Sequence, residues 1–223
     1  MKPKISVIIR TYNSSNFIKK SIQSVLNQTI NPQSFEIVVI DDGSTDDTLK
    51  VLNSYEDQLK VFPYESNGPI NAINIGLDKA RGDYFILLDS DDTFIPETLK
   101  IFLKVIEDEK VDFVYSDYLE LTEKDEIKLV SLKNNIFNSV AGGIVFKKSA
   151  VEEVGKYDEQ LFFPEYDLLL KLIKKGSTYK HIPKPLFKYY RRDDSLTSNK
   201  KAVENGFNQL YEKHGHIANL RRY

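Results

Sequence analysis

Short apolar runs alternate with helix-like stretches through the first half of the chain. The runs at 37–40 and 84–88 are continuous rather than alternating, which is typical of strands buried on both faces of a parallel sheet. With further runs at 4–9 and 60–64, they predict four strands. Between these runs, apolar residues recur every three or four positions, which predicts helices. The alternation favours an α/β fold with right-handed crossovers.

Several residues indicate where the helices of this half begin. Asn16 is a candidate N-cap for the first helix, and Ser44 with Asp47 resembles a capping box for the second. Pro69 and Pro96 suit the first turns of the next two helices. We therefore expect each strand of the sheet to be followed by a helix that packs on it.

The second half of the chain has a less regular pattern. Strands are predicted at 111–121, 127–132 and 144–147, a helix at 165–175, an extended segment at 179–190, and an amphipathic helix near the end. No linker or repeat separates the halves. We therefore predict a single domain over 1–223, with a front half (1–110), an elaborated back half (111–195) and a C-terminal helix (196–223).

Composition excludes several classes of function. The 31 basic and 33 acidic side chains leave a net charge of −2, which gives no general attraction to nucleic acid, so no nucleic-acid partner is expected. The absence of cysteine excludes disulfides and thiolate chemistry. No secretory or membrane-spanning run is found. We expect a cytoplasmic protein; peripheral contact with the inner face of the membrane and the oligomeric state are left open.

Two acidic clusters directly follow the two most continuous apolar runs. Asp41 and Asp42 follow the run at 37–40, and Asp89-Ser90-Asp91-Asp92 follows the run at 84–88. Open parallel sheets bind ligands at the carboxyl ends of their strands. Carboxylates held close together resist ionisation unless a cation or hydrogen-bond donors compensate. The clusters therefore predict a hard divalent cation that bridges a phosphate ligand to an Asp-rich loop.

Five blocks of sequence, in this order, resemble family 2 glycosyltransferases of the GT-A fold. The blocks are 6–13, 21–28, 36–46, 68–77 and 80–92. The resemblance implies a Rossmann-like, mostly parallel sheet flanked by helices. It also implies transfer of a sugar, with inversion at its anomeric carbon, from a nucleotide-diphosphate sugar to a saccharide or lipid-linked saccharide hydroxyl. A UDP-sugar is favoured by its frequency in the family. The front half would then bind the donor and the back half the acceptor.

The resemblance also implies which residues bind the donor. The expected nucleotide-binding residues are Thr11, Tyr12, Asn13, Asp41, Asp42, Asn71, Asp89 and Ser90. One of the Asp41–Asp42 pair would accept the imide N–H of the base, with Asp42 favoured over Asp41. Asp89-Ser90-Asp91 matches the Asp-X-Asp motif of the family. Asp91 would ligate Mn²⁺ or Mg²⁺ between the two phosphates, and Asp89 would hold the ribose or a metal-bound water.

The catalytic base is expected at the start of the helix at 165–175. Family members carry a Glu-Asp pair two residues before Asp-Leu, whereas this chain has Pro164-Glu165-Tyr166-Asp167-Leu168. Glu165 keeps the carboxylate of the base with one more methylene, so we assign it this role. Asp167 would face another direction in a helix, but it is kept as the alternative base. Glu165 could also be a plain acid favoured by the helix dipole.

Two departures from the family pattern concern arginines. Arg10 stands where the family often has proline, and a late loop carries Asp193 or Asp194 where the family often has a histidine. Arg191 or Arg192 in that loop could bind the diphosphate or form surface salt bridges.

Other side chains and other functions stay as alternatives. Tyr157 and Phe163 could stack on an acceptor sugar, and Asp92 and the three histidines are expected at the surface. A nucleotidylyltransferase would need a Gly-rich basic loop after the first strand, which is lacking here. A catalytically degenerate nucleotide-binding module is the remaining alternative, which the altered sequence at Pro164-Glu165 keeps open.

Overall fold

The computed structural model describes residues 2–124, 126–139, 141–192 and 199–217. The first half contains β1 (Ile5–Thr11), α1 (Ile18–Leu26), β2 (Phe35–Asp41), α2 (Thr48–Asn53), β3 (Lys60–Pro63), α3 (Pro69–Lys79), β4 (Tyr84–Asp89), β5 (Thr93–Phe94) and α4 (Thr98–Glu109). The second half contains β6 (Phe113–Thr122), β7 (Ile127–Val130), β8 (Ile144–Lys147), α5 (Lys148–Glu153), α6 (Pro164–Lys175), β9 (Tyr179–Arg191) and α7 (Lys200–His214).

The strands form one mixed sheet in the order β3-β2-β1-β4-β8-β6-β9-β5, and β7 pairs with β6. β1 lies parallel to β2 and β4, and β2 lies parallel to β3, so the predicted parallel front half is confirmed. β8 pairs antiparallel with the far edge of β4. The carboxyl ends of β1, β2 and β4 therefore meet at one edge of the sheet, where the acidic clusters begin.

The apolar runs are buried on both faces, as their continuity predicts. Val7, Ile9, Val38 and Ile40 are fully buried. Helix α3 packs closely on the sheet at Gly76, where an added Cβ would lie 2.5 Å from Ile8 Cγ2. This close approach holds the side chains of α3 near the site described below.

Three predicted helix starts are wrong. Pro96 is not in the first turn of α4, which begins at Thr98 with Glu97 at the N-cap position. Helix α1 begins at Ile18 with Phe17 at the N-cap position, and Asn16 does not cap it. The expected capping box of α2 does not form, because the Ser44 hydroxyl donates to Asp41 Oδ1 instead. Helix α2 begins at Thr48, whose amide donates to Asp46 Oδ1.

The final helix packs on α6 through a second apolar cluster. Its buried members are Phe163, Tyr166, Leu170, Val203, Phe207 and Leu210. The helix expected within 196–223 is observed as α7, and residues 218–223 lie outside the described part. The division of the chain at residues 110 and 195 remains a prediction. No helix among the described residues is long and apolar enough to cross a membrane.

Candidate active site

The centre of the candidate site is an ion pair between β1 and β4. Arg10 is in register with Asp89 on the neighbouring parallel strand. Side chains at paired positions of neighbouring strands point to the same face of a sheet. Arg10 Nε accordingly donates to Asp89 Oδ1 at 2.8 Å. Burial alone would lower the pKa of Arg10, but the adjacent Asp89 carboxylate raises it above its ordinary value, so this guanidinium is charged.

The Asp-X-Asp turn follows directly after Asp89. Ser90 Oγ lies 2.8 Å from Ser14 Oγ, which ties the turn to the loop after β1. Asp91 Oδ2 lies 4.0 Å from Arg192 Nη1. The expectation that Asp92 is exposed is wrong, since it is 1 % exposed and its Oδ1 accepts a hydrogen bond from the Tyr190 amide. Asp92 thereby joins the turn to β9.

The electrostatics of this turn fit a divalent cation. Burial and the neighbouring Asp89 carboxylate raise the pKa of Asp91 by more than a backbone hydrogen bond and the charges of Arg192 and Arg10 lower it, so compensation of its charge is incomplete. The described residues contain no cluster of three or more His, Cys, Asp or Glu side chains that could hold a metal by themselves. Mg²⁺-type ions are often bound by one or two carboxylates together with substrate phosphates, and the Asp89–Asp91 pair suits that mode.

The second acidic pair lies at the end of β2. Asp41 is 1 % exposed, and both of its carboxylate oxygens accept hydrogen bonds from Ser44. Asp42 accepts a hydrogen bond from the Asn67 amide at Oδ1, and no donor among the described residues reaches its Oδ2. Asp41 therefore shapes the turn, whereas one carboxylate oxygen of Asp42 is not used by any donor among the described residues.

The other expected nucleotide-binding residues differ in their surroundings. Thr11 is buried, and its hydroxyl has no hydrogen-bond partner among the described residues. Tyr12 is exposed beside it. Asn13 has a positive φ of 47°, and its Oδ1 accepts from the Thr45 amide at 2.8 Å. Asn71 faces the back half instead, with Nδ2 3.4 Å from Glu159 Oε2.

Glu165 lies in the first turn of α6, after Pro164 at the first helical position. Burial raises the pKa of its carboxyl, the charge of Arg10 lowers it, and that of Asp89 raises it again; the net effect is a raised pKa. Burial and the charge of Glu165 also raise the pKa of Tyr157 well above its ordinary value. A carboxyl with a raised pKa is better matched to accept a proton near neutral pH.

Asp167 has different surroundings from Glu165. Its side chain is fully buried, with Oδ1 2.6 Å from His214 Nε2 and 2.8 Å from Lys213 Nζ, and with Oδ2 3.1 Å from Lys171 Nζ. Burial would raise the pKa of Asp167, but these donors outweigh it and lower the pKa. The carboxylate thus joins α6 to α7.

The two candidate arginines at the end of β9 lie near different carboxylates. Arg191 Nη1 lies 3.7 Å from Glu120 Oε1 and the side chain is 53 % exposed. Arg192 instead approaches Asp91, and its guanidinium lies 4.5 Å from the centre of the Phe17 ring. Of the two, Arg192 is therefore the one beside the Asp-X-Asp turn. Asp193 and Asp194 lie outside the described residues.

Asn74 was assigned no role from the sequence. Asn74 Nδ2 donates to the Tyr157 carbonyl at 2.9 Å, and its Oδ1 accepts from the Tyr157 amide at 3.2 Å. The same Nδ2 lies 2.9 Å from Glu159 Oε1. These bonds from Asn74 to Tyr157 and Glu159, called the Asn74 clamp below, fix the segment that leads to Glu165. Its only sequence signal is the presence of two asparagines, Asn71 and Asn74, one helical turn apart.

Several expectations about single side chains are wrong. Tyr157 and Phe163 are 3 % and 6 % exposed, and Phe163 packs on Phe207, so neither ring presents a stacking surface. His214 is held by Asp167, and His181 Nε2 lies 2.7 Å from Asp117 Oδ1. Two of the three histidines are therefore partly buried partners of carboxylates rather than exposed surface residues.

Comparison with known proteins places this site in a family. The model of glycosyl transferase family 2 matches residues 6–155, which include both acidic clusters and end before α6. The chain belongs to glycosyltransferase family 2. It is 31% identical over 215 residues to GalNAc(5)-diNAcBac-PP-undecaprenol beta-1,3-glucosyltransferase of Campylobacter jejuni, covering 87% of this chain and 67% of that protein. Other relatives are much longer: in two of them the chain spans only 20% and 22% of the length.

Solved structures show that the family 2 chain has the predicted GT-A fold. TarS 1–349 of S. aureus, in complex with UDP-GlcNAc, superposes with a TM-score of 0.77 at 23% identity, covering 93% of this chain and 66% of that one. The mannosyltransferase PcManGT of Pyrobaculum calidifontis, in complex with GDP-Man and Mn²⁺, also gives 0.77, at 17% identity, covering 99% and 66%. At these identities the likeness concerns the fold.

Proposed function

We propose that the protein is an inverting, metal-assisted glycosyltransferase. It moves a sugar from a nucleotide-diphosphate sugar, with a UDP-sugar favoured, to a hydroxyl of a saccharide or lipid-linked saccharide. The observation that carries this proposal is the cluster at Arg10, whose Nε bonds to Asp89 Oδ1 at 2.8 Å at the start of the Asp-X-Asp turn and whose charge lowers the pKa of Glu165. The structures of TarS in complex with UDP-GlcNAc and of PcManGT in complex with GDP-Man and Mn²⁺ support a nucleotide-sugar donor and a divalent metal.

Donor binding is assigned to the ends of β1, β2 and β4. Asp42 would accept the imide N–H of the base through Oδ2, and the Thr11 hydroxyl would bond to the nucleotide. Asp91, with Asp89, would hold Mn²⁺ or Mg²⁺ against the diphosphate. A bound divalent ion supplies Lewis-acid neutralisation of the charge that develops on the leaving diphosphate. Arg192, beside Asp91, would add a cation on the same side.

Glu165 is assigned the role of general base. Its carboxylate takes the proton of the acceptor hydroxyl as that oxygen bonds to the anomeric carbon. The bond from that carbon to the diphosphate oxygen breaks on the opposite face, and the nucleoside diphosphate leaves with the bonding electrons. One displacement inverts the anomeric configuration. The raised pKa of Glu165 suits a group that holds this proton and then returns it to water.

The first test is a thermal-shift panel of UDP, GDP and dTDP, each with and without Mn²⁺. A ligand that binds only the native state raises Tm, so we expect a metal-dependent rise with UDP. The second is release of UDP from UDP-glucose and UDP-GlcNAc with water as acceptor. Glu165→Gln should lower kcat by about a hundred- to ten-thousand-fold while the metal-dependent Tm rise persists.

The outcomes separate the alternatives. Binding of UDP without turnover in the unmodified protein would indicate a degenerate binding module. Formation of a nucleotide sugar from UTP and a sugar phosphate would indicate a nucleotidylyltransferase. Equal Tm with every nucleotide, with or without Mn²⁺, together with no turnover, would contradict the proposed function.

A further inference from the structure

We propose that Arg10 is a positioning residue of the transfer reaction, because its guanidinium fixes the Asp89 carboxylate on the donor side and presents a positive charge to Glu165 on the acceptor side. This inference rests on the proposed function, since it concerns the same site. In this role, the charge of Arg10 acts on carboxylates of both the donor side and the acceptor side of the site.

The direction of Arg10 follows from the sheet. Side chains alternate between the faces of a strand, so Arg10 shares a face of β1 with Ser6 and Ile8. Ile8 packs against Gly76 of α3, and α3 also carries Asn74, which clamps Tyr157. Arg10 therefore projects from the sheet face on which α3 holds the segment before Glu165.

The contacts of Arg10 explain why it can act on both sides at once. Its Nε is bound to Asp89 Oδ1 at 2.8 Å, and both side chains are only about a quarter exposed, at 24% and 26%. Water therefore screens this pair less than a surface pair. The charge of the same guanidinium also acts on Asp91, Asp92 and Glu165. Arg10 is thus a shared counter-charge for four carboxylates.

The charge of Arg10 is expected to have a separate effect on the donor side and on the acceptor side of the reaction. With Arg10 charged, Asp89 is directed along the β4 edge toward the donor, and Glu165 faces a cation rather than carboxylates alone. Without that charge, burial and the Asp89 carboxylate would raise the pKa of Glu165, and only a backbone hydrogen bond among the influences on it would lower that pKa. It would then bind a proton more tightly, so at a pH near its pKa a larger fraction of Glu165 would already be protonated and unable to act as base. Loss of the charge should therefore affect turnover more than donor binding.

The test compares Arg10→Gln, Arg10→Lys and the control Arg81→Gln in UDP release from UDP-glucose or UDP-GlcNAc with Mn²⁺. Arg81 is a matched control, since its Nε also pairs with a buried carboxylate, Glu36 Oε2 at 2.9 Å, away from the site. Arg10→Gln should lower kcat at least about tenfold with donor KM within about threefold, and should move the acid limb of kcat to higher pH. Arg10→Lys should lose at most about threefold, and Arg81→Gln should keep kcat within about twofold.

Two results would overturn the role of Arg10 while leaving the proposed function intact. One is Arg10→Gln with normal kcat and an unmoved acid limb; the other is a folded Arg10→Lys as slow as Arg10→Gln. If Arg10→Gln does not fold, Arg10→Lys decides: a near-normal kcat supports the role of the charge, and a loss beyond tenfold overturns it. An unmodified protein that neither binds nor hydrolyses either donor would instead overturn the proposed function, and this role with it.

Discussion

Replacing Asp167 by Asn should destabilise the protein without removing its chemistry. Asp167 is fully buried between Lys171, Lys213 and His214. Removing one partner of a buried ion pair costs about 3–5 kcal/mol. Lys213 is 35% exposed and also reaches Asp158 Oδ2 at 2.6 Å, so it can retain a partner. We therefore expect the lower end, about 3 kcal/mol.

The magnitude translates into a measurable change of melting temperature. For a domain of this size each kcal/mol shifts Tm by about 2–4 °C, so Asp167→Asn should lower Tm by roughly 6–12 °C. Differential scanning calorimetry measures this shift, and UDP release at 20 °C measures kcat of the molecules that remain folded. We expect that kcat to stay within about threefold of the unmodified value, because Asp167 is occupied by the cations of α6 and α7.

Asp158→Asn is the matched control. It removes one carboxylate from the same Lys213, but Asp158 is 31% exposed, and such pairs contribute about 0.2–1 kcal/mol. Its Tm should therefore fall by no more than about 4 °C. If Asp167→Asn keeps its Tm but loses turnover, while Glu165→Gln keeps turnover, Asp167 is the base and the assignment of Glu165 is wrong.

Three further predictions concern the donor side and the sheet. Asp91→Asn should abolish the Mn²⁺-dependent tightening of UDP binding in calorimetry; equal UDP affinity with and without Mn²⁺ in the unmodified protein would contradict a metal held there. Asp42→Ala should raise the donor KM at least several-fold, since an unpaired buried group costs about 1–3 kcal/mol, whereas unchanged affinity would exclude Asp42 as the residue that binds the base. Glu36→Gln should destabilise the protein at pH 7 by about 2–3 kcal/mol, because bonds from Arg81, Lys60 and Ser6 outweigh burial and lower the pKa of Glu36 from 4.5 to about 2, which corresponds to at most ~3.4 kcal/mol. That stability is present above pH 4.5 and is lost as the pH falls toward 2, so urea midpoints of Glu36→Gln and the unmodified protein should converge in acid; a constant difference would contradict the assignment.

The strands and the acidic clusters could be predicted from the sequence because their signals are local. A continuous apolar run followed by aspartates marks a buried strand and its carboxyl end, whatever the rest of the chain does. The positions of Asp41 and Asp89 at the ends of β2 and β4 follow from this alone.

The parts that could not be predicted depend on contacts between distant segments. Asp92 looks like a solvated turn residue until β9 brings the Tyr190 amide to it, 98 positions later in the chain. The Asn74 clamp requires the segment at Tyr157 to return to α3, and nothing in the local pattern indicates that approach. The capping box of α2 was misjudged for a different, local reason, since the Ser44 hydroxyl bonds to Asp41, three positions earlier, rather than to the helix.

The pairing of β1 with β4 also has a consequence for how activity appears during folding. Arg10 and Asp89 are 79 positions apart, and only the alignment of these two parallel strands brings them together. Closing such long loops is slow compared with forming local helices. After dilution from urea, the helical circular dichroism signal should therefore return before UDP release does. The lag between the two signals would measure how long β1 and β4 take to pair in their native register.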